Sequence, residues 1–494
     1  MKKFFAFLVV FAALFISFGC SGGGNGGNRV NGEIPEYSLE ELKNLEATVT
    51  FWHAMGQQKT SIIEEMIVSF NKLYPNITVN VANQGGYDDL RDKVQKSIRS
   101  GLQPTLAQAY PDHVTVYLSG DAVRELDSYM NHPTYGLSQA QLNDYVGSYF
   151  AEGKLYDEKG TLYSLPFNKS TEVLYFNATW FEKHGLLEKY NLGKIETVED
   201  SKVFVRNEGS HLTWEDIEEI GQYYINTAEY KQKDDIEKID YRAFSYDSED
   251  NLFITLTQQF GGEYVRLTGE NEGVFAFNND QSKEALRWYL NGYKAGYFVT
   301  ASAWNADYTS DKFTSGNVLM TIGSSAGCSY NDPKDKFVLG VLPYPQREAA
   351  YGTGVGEYVI QQGTNVALFN CEDPNEELAG WLFLKFITTW HPELSYDEQP
   401  TAIWCERSGY FPILNSLMEH EEYQSFLNGD GEATRTLEAT VAIVGYEQAD
   451  KYFVSPTFPG TAKCRDEVEN LVEAILYSNI PVEDAYQTAL KNLK

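Results

Sequence analysis

Ala47-Thr-Val-Thr-Phe-Trp52, the helical run of apolar side chains at Ile62, Ile63, Met66, Ile67, Phe70, Leu73 and Tyr74, and then Pro75-Asn-Ile-Thr-Val-Asn-Val81 together decide the fold. Val49 and Phe51 alternate with Thr48 and Thr50, the period-two pattern of a half-buried strand. The spacing over 60–74 predicts a helix, and Pro75 stops it. Ile77, Val79 and Val81 alternate as the next strand. Strand, helix, strand in this order implies a parallel sheet in an α/β architecture.

The theme continues outward. Leu90, Val94 and Ile98 share one face of a second helix, with Gly101 at its C-terminal end, and Leu106–Tyr110 reads as a third strand. Thr213-Trp-Glu-Asp216 fits a capping box. Residues 282–295 and 376–389 are expected as amphipathic helices, and Met320–Ile322, Val338–Leu342 and Tyr358–Gln361 as strands. Residues 193–211 and 228–241 are charged and poor in apolar groups, and are expected to be surface insertions. No repeat of 20–50 residues is evident.

A chain of 494 residues is too long for one hydrophobic core and should form two or three lobes. Its net charge of −31 comes without a basic patch, which excludes a nucleic-acid partner and disfavours anionic membrane surfaces. The 34 Tyr and 8 Trp suit a site for a ring-bearing or polyhydroxylated ligand, and equally suit core packing.

The N-terminus reads as an export signal. Lys2 and Lys3 precede an apolar run from Phe4 to Phe18, broken only by Ser17 and too short for a comfortable membrane span. Gly19-Cys20 resembles the end of a bacterial lipobox, although Ser17 stands where Leu is usual. Ser21–Asn28 has the composition of a flexible tether. Cys20 is therefore the expected lipidation site; the plain alternative is a secretory signal with an incidental cysteine. Cys328, Cys371, Cys405 and Cys464 form no CxxC, so no metal site is expected, and their pairing is open.

Several motifs only imitate catalysis. Gly323-Ser-Ser-Ala-Gly327 matches G-x-S-x-G, but Asn331-Asp-Pro333 stands where the elbow's helix would run. Gly352, Gly354 and Gly356 fall short of a dinucleotide fingerprint. The seven His are dispersed, and Asn428-Gly-Asp-Gly-Glu432 lacks most of a calcium loop.

Taken in order, five segments resemble the extracellular solute-binding proteins of ABC importers, in the branch that takes sugars and glycerol phosphates. They are Thr50–Met55, Ser69–Ile77, Leu165–Thr171 with Leu174–Asn177, Phe313–Gly316 with Met320, and Ser408–Pro412. The resemblance runs from about Thr48 to the C-terminus. It implies a two-lobe α/β fold, hinged, with the ligand in the cleft between lobes. The implied map has a signal at 1–19, a tether at 20–46, the first lobe in 47–165 and 346–408, and the second in 166–345 and 409–494.

Within that branch the likeness to glycerol-3-phosphate-binding proteins implies a ligand set. Tyr87 falls on a ligand-contacting Tyr, and Asp112 on a Glu that binds glycerol hydroxyls, here shortened. Ser170 and Ser324 or Ser325 fall on hydroxyls around the phosphate. Gly354 falls on a backbone contact, Tyr410 on a phosphate-binding Tyr and Arg465 on the phosphate's Arg. The chemistry agrees in kind: phosphate wants a permanently charged planar donor with hydroxyl and N–H donors, and polyols want carboxylates and aromatic faces, for which Trp52, Tyr87 and Asp112 are suitable. Structural readings stand beside these. Arg465 can instead pair with Glu469, Trp52 can be core, and Asp112 can be a cap. Cys328 and Cys464 would be near enough to bridge if both flank one pocket. The implied protein is not an enzyme and needs no cofactor. It takes glycerol 3-phosphate, a glycerophosphodiester or a sugar, meets the importer's permease subunits, and sits outside the cytoplasm on a lipid anchor. The competing class is a secreted hydrolase.

Overall fold

The computed structural model describes residues 32–494 except 199, 236, 270, 271, 430, 432 and 433. The export signal and Cys20 lie outside the described residues. β1 (Ala47–His53) buries Val49, Phe51 and His53 on one side. The helix Gln57–Leu73 follows, burying Ile62, Ile63, Met66 and Phe70 and ending before Pro75. β2 (Ile77–Asn83) lies parallel to β1. The helix Tyr87–Ser100 closes on Gly101, whose φ of 71° is the left-handed conformation a helix end favours in glycine. β3 (Leu106–Ala109) is parallel to β1 on its other side.

β4 (Ser164–Asn177) is buried along all fourteen residues. β5 (Gly193–Val198) and β6 (Ser201–Arg206) form a hairpin where a surface insertion was expected; Ile195 and Phe204 fasten it to the core. β7 (Arg242–Tyr246), the ribbon β8 (Val265–Gly269) and β9 (Glu272–Phe275), β10 (Phe298–Thr300), β11 (Val318–Ser324), β12 (Leu339–Leu342), β13 (Val359–Leu368) and β14 (Tyr452–Phe453) complete the strands. The main sheet runs β10-β7-β11-β4-β13-β3-β1-β2, with β12 on β4 and β14 on β13. Two parallel sets, β1 to β3 and β7, β10, β11, are thus joined through β4 and β13, which run antiparallel to each other with an irregularity at Thr364/Asn365.

Two large cores form the lobes. One gathers Phe51, Phe70, Phe383 and Trp404; the other gathers Phe176, Trp214, Phe244 and Tyr289. Their membership corrects the expected boundaries. Val359 and Ile360 pack in the second core while Val366 and Leu368 pack in the first. The chain therefore recrosses within β13, not at 345/346. The third crossing is not at 409. Phe411, Leu414, Tyr423 and Ala442 belong to the first core, and the second resumes at Phe458. Gly409, with φ 74°, ends the helix Pro400–Ser408 and turns the chain back, so that the Phe411 N–H donates to the Lys169 carbonyl at 2.7 Å. Tyr452 touches both cores and marks the true crossing. The tether also ends earlier than 46: Ser38 caps a short helix, and Leu42 and Leu45 are buried in the first core.

Candidate functional site

A cleft of about 1090 Å³ opens between the lobes. It lies at the carboxyl ends of the parallel strands, where open α/β sheets place ligands. Ala54–Gly56 after β1, Asn83 at the end of β2 and Tyr110–His113 after β3 line one wall. Asp247–Asn251 after β7, Ser324 at the end of β11 and a face of the helix Thr461–Leu476 line the other. Ser170 and Glu172 of β4, with residues 360–363 of β13, form the floor.

Six of the residues named from sequence reach this cleft: Tyr87, Asp112, Ser170, Ser324, Tyr410 and Arg465. The Asn168 amide donates to the Tyr87 hydroxyl at 3.4 Å, which also lies 3.4 Å from the Tyr410 hydroxyl. Burial, with Tyr410 beside it, raises the Tyr87 phenol well above its ordinary value, so it stays neutral. Tyr410 stacks on Trp404 at 5.2 Å. Ser324 Oγ and Ser170 Oγ stand 3.4 Å apart on the floor. Asp112 sits in the first turn of the helix Pro111–Leu118, where the N-terminal dipole favours its charge and its carboxylate accepts from the His113 N–H at 3.0 Å.

Arg465 does not turn to Glu469. Its Nη1 donates to Asp250 Oδ2 at 3.2 Å, its Nη2 to Asn251 Oδ1 at 2.8 Å, and its Nε stands 3.8 Å from Asp112 Oδ2. Burial works against its charge, but Asp250 and Asp112 outweigh burial and hold the guanidinium above its usual value. Arg91 makes a second link between the lobes, to Asp466 at 3.1 Å, and also meets Asp88 at 3.0 Å.

Three named residues lie elsewhere. Trp52 packs against the small cluster around Leu90, Val94 and Tyr117. Ser325 is fully buried and accepts from the Thr171 N–H at 3.4 Å. Gly354 sits in an exposed turn at φ 70°, its N–H donating to Glu357 at 3.0 Å. The four cysteines are free; Cys328 and Cys464 belong to different clusters, so the conditional bridge does not form.

Other cleft groups escaped the sequence. Lys59 is buried, donates to the Ala326 carbonyl at 2.6 Å and covers the Tyr410 ring at 4.9 Å. Asp250 and Asn251 follow β7, a strand hidden behind the charged segment before it. Glu172 accepts from Tyr246, from Asn251 at 3.2 Å and from Gln362 at 3.1 Å. Burial, reinforced by Asp250 and Asp247, pushes its carboxyl up to about 8. Glu469 is raised to about 8 by burial and by neighbouring Asp250 and Glu249. His113 is lowered to about 4 by burial, and is neutral.

The walls are therefore acidic. Seven Asp and five Glu line the cleft against Lys59, Arg91 and Arg465, and each of those three cations already has a protein acceptor. Such an arrangement accepts hydroxyl and ammonium donors and offers tyrosine faces for an apolar ring edge. Among the described residues, no group of three or more His, Cys, Asp or Glu is placed to hold a metal ion. No helix of the described residues is long and apolar enough to cross a membrane.

Comparison with known proteins gives consistent results. The family model for bacterial extracellular solute-binding proteins matches residues 65–426. The sn-glycerol-3-phosphate-binding periplasmic protein UgpB of Escherichia coli K12 is 23% identical over 401 residues, covering 79% of this chain and 80% of that protein. UgpB from Mycobacterium tuberculosis, solved in complex with glycerophosphocholine, superposes with a TM-score of 0.68 at 18% identity, covering 91% of this chain and 98% of that one. The substrate-binding protein Lmo0181 from Listeria monocytogenes, solved in complex with cycloalternan, gives 0.68 at 16%, with the same coverage.

Proposed function

The chain belongs to the bacterial extracellular solute-binding proteins, and from that premise we propose that it captures a neutral polyhydroxylated solute of the saccharide class. It is the solute-binding component of an ABC importer and works outside the cytoplasm. The ligand reading rests on the charge of the cleft. A phosphate dianion entering it meets carboxylates on both walls, Asp112 and Asp250 among them, while Arg91 and Arg465 already pair with carboxylates and Lys59 with a carbonyl. At about 4 Å each ionised carboxylate opposes each unit of that charge by about 4 kcal/mol at an effective dielectric of 20. Sugar hydroxyls instead donate to those carboxylates, and the sugar ring lies on Tyr87 or Tyr110. The solute is handed on chemically unchanged.

A second reading, a glycerophosphodiester or glycerol 3-phosphate, is favoured by the names of the curated relatives and by Arg465 lining the cleft. Calorimetry with maltose, glycerol 3-phosphate and glycerophosphocholine separates the two. The expected result is heat with the neutral sugar and none with glycerol 3-phosphate, with mass spectrometry recovering the sugar intact. Heat from the phosphates alone would overturn it. Arg465→Ala distinguishes the roles: it should weaken a neutral sugar by less than about tenfold, because the residue only holds Asp112 and Asp250 in place, whereas a phosphate bound to the guanidinium would lose tenfold or more.

We also propose that Cys20 carries the lipid that keeps the protein at the membrane, next to the permease subunits. Cys20→Ser should leave the fold intact and move the protein from the membrane fraction to the soluble exported pool. Continued pelleting of the processed variant with membranes would refute the anchor.

A further inference from the structure

A second cavity, of about 240 Å³, is lined by β6, by β12 and by the segments 332–338 and 435–444. Side chains alternate along a strand: Ser170 and Glu172 look into the cleft, while Val173 and Tyr175 pack in a small cluster with Val341 and Val444. Val341 and Val444 of that cluster form the cavity's floor, with Phe337 and Leu437. Its rim is cationic. Lys202 and Arg206 of β6 come from one side, Lys334 and Arg435 from the other, with Asp332 the one carboxylate among the lining residues. In a chain of net charge −31 this is the reverse of the cleft.

Not all of that charge is matched internally. Lys334 meets Asp332 at 2.7 Å and Arg206 meets Glu447; Glu438 on the adjacent helix also acts on Lys334. Arg435 Nε is shut off from solvent and has no hydrogen-bond acceptor among the described residues. A buried, unmet guanidinium donor is costly, because its hydration is lost and nothing replaces it. An acceptor supplied from outside would remove that cost. The space suits a group somewhat smaller than a drug-sized ligand, its floor wants apolar surface, and its rim wants negative charge.

We propose that this cavity is a second binding site, separate from the solute cleft, for a small organic anion with an apolar body: an aryl or short-alkyl carboxylate or phosphate monoester. Its anionic head accepts from Arg435 with Lys202 beside it, and its apolar part covers Val341 and Val444.

Calorimetry on the full chain with phenyl phosphate, benzoate and benzyl alcohol tests this. Phenyl phosphate and benzoate should bind in the millimolar range or tighter, and benzyl alcohol at least tenfold more weakly. Arg435→Gln should weaken phenyl phosphate by about tenfold or more. Lys202→Gln, an exposed change that cannot disturb the core, should weaken it two- to fivefold. Arg465→Gln, which alters the solute cleft, should leave it within twofold. Thermal melts confirm that each variant is folded. No heat from either anion, equal binding of benzyl alcohol, or loss in Arg465→Gln with retention in Arg435→Gln would each overturn the site.

Discussion

The two faces of β4 present opposite chemistry only a strand's thickness apart. On the cleft face, Asn168, Ser170 and Glu172 are polar, hydrogen-bonded and surrounded by acids. On the other, Lys169 is buried against Glu152, and Val173 and Tyr175 pack with Val341 and Val444, which line a cavity with a basic rim. A strand of fourteen buried residues therefore does two jobs. One face presents acceptors to a solute, while the other ties the lobes together. The lesson is that overall charge does not report local chemistry: twelve acids and three bases line the cleft, whereas one acid and four bases line the second cavity.

The sharpest way to break this contrast is Lys169→Met. Lys169 is fully buried, and burial lowers its ammonium against the pull of Glu152. Removing one partner of such a pair strands a buried carboxylate and should cost about 3–5 kcal/mol in urea denaturation. A loss under 1 kcal/mol would mean that water reaches the pair.

Next in size is a pH effect from the cleft face. The Glu172 carboxyl stands at about 8 in the fold against an ordinary 4.5. The folded chain keeps this proton when the unfolded chain has released it, so stability falls as pH rises from about 4.5 to about 8 and is flat below that window. The span amounts to a few kcal/mol at most. Glu172→Gln should flatten the difference between urea midpoints at pH 5 and pH 8. Asp247, raised to about 6 by burial, and Glu469, raised to about 8 by burial, act in the same direction and leave a residual slope. An unchanged slope would show that Glu172 is ionised throughout.

The smallest effect should come from Tyr175→Phe. It deletes a hydrogen bond from the Tyr175 hydroxyl to the Ser324 carbonyl at 2.9 Å, worth about 1 kcal/mol. Cleft affinity should stay within twofold, since the side chain faces away; a larger change in affinity would show that the two faces communicate.

The fold was largely legible. The β-α-β unit from Ala47 to Val81, Gly101 as a helix end and the Thr213 capping box all stand where periodicity and cap chemistry put them. Crossings between lobes were harder, because they depend on which core a residue joins, and nothing local distinguishes Phe411 in the first core from Phe458 in the second. For the site, the family resemblance pointed to Tyr87, Asp112 and Ser324, but Lys59 and Asp250 acquire meaning only from partners hundreds of residues away or on the facing lobe. Gly354 and Ser325 show the converse: a matching motif places a residue near the right segment without turning it toward the cleft.

The position of β13 has a consequence for how the protein is made. β3 has β1 on one side and β13 on the other, with Leu106 opposite Leu368 about 260 residues later. As synthesis proceeds, the first half of the chain therefore emerges without the strand that completes its sheet, and β4 emerges without the neighbour that joins the two lobes. Contacts so distant in sequence form slowly. Neither lobe can therefore complete its part of the main sheet until β13 has been made.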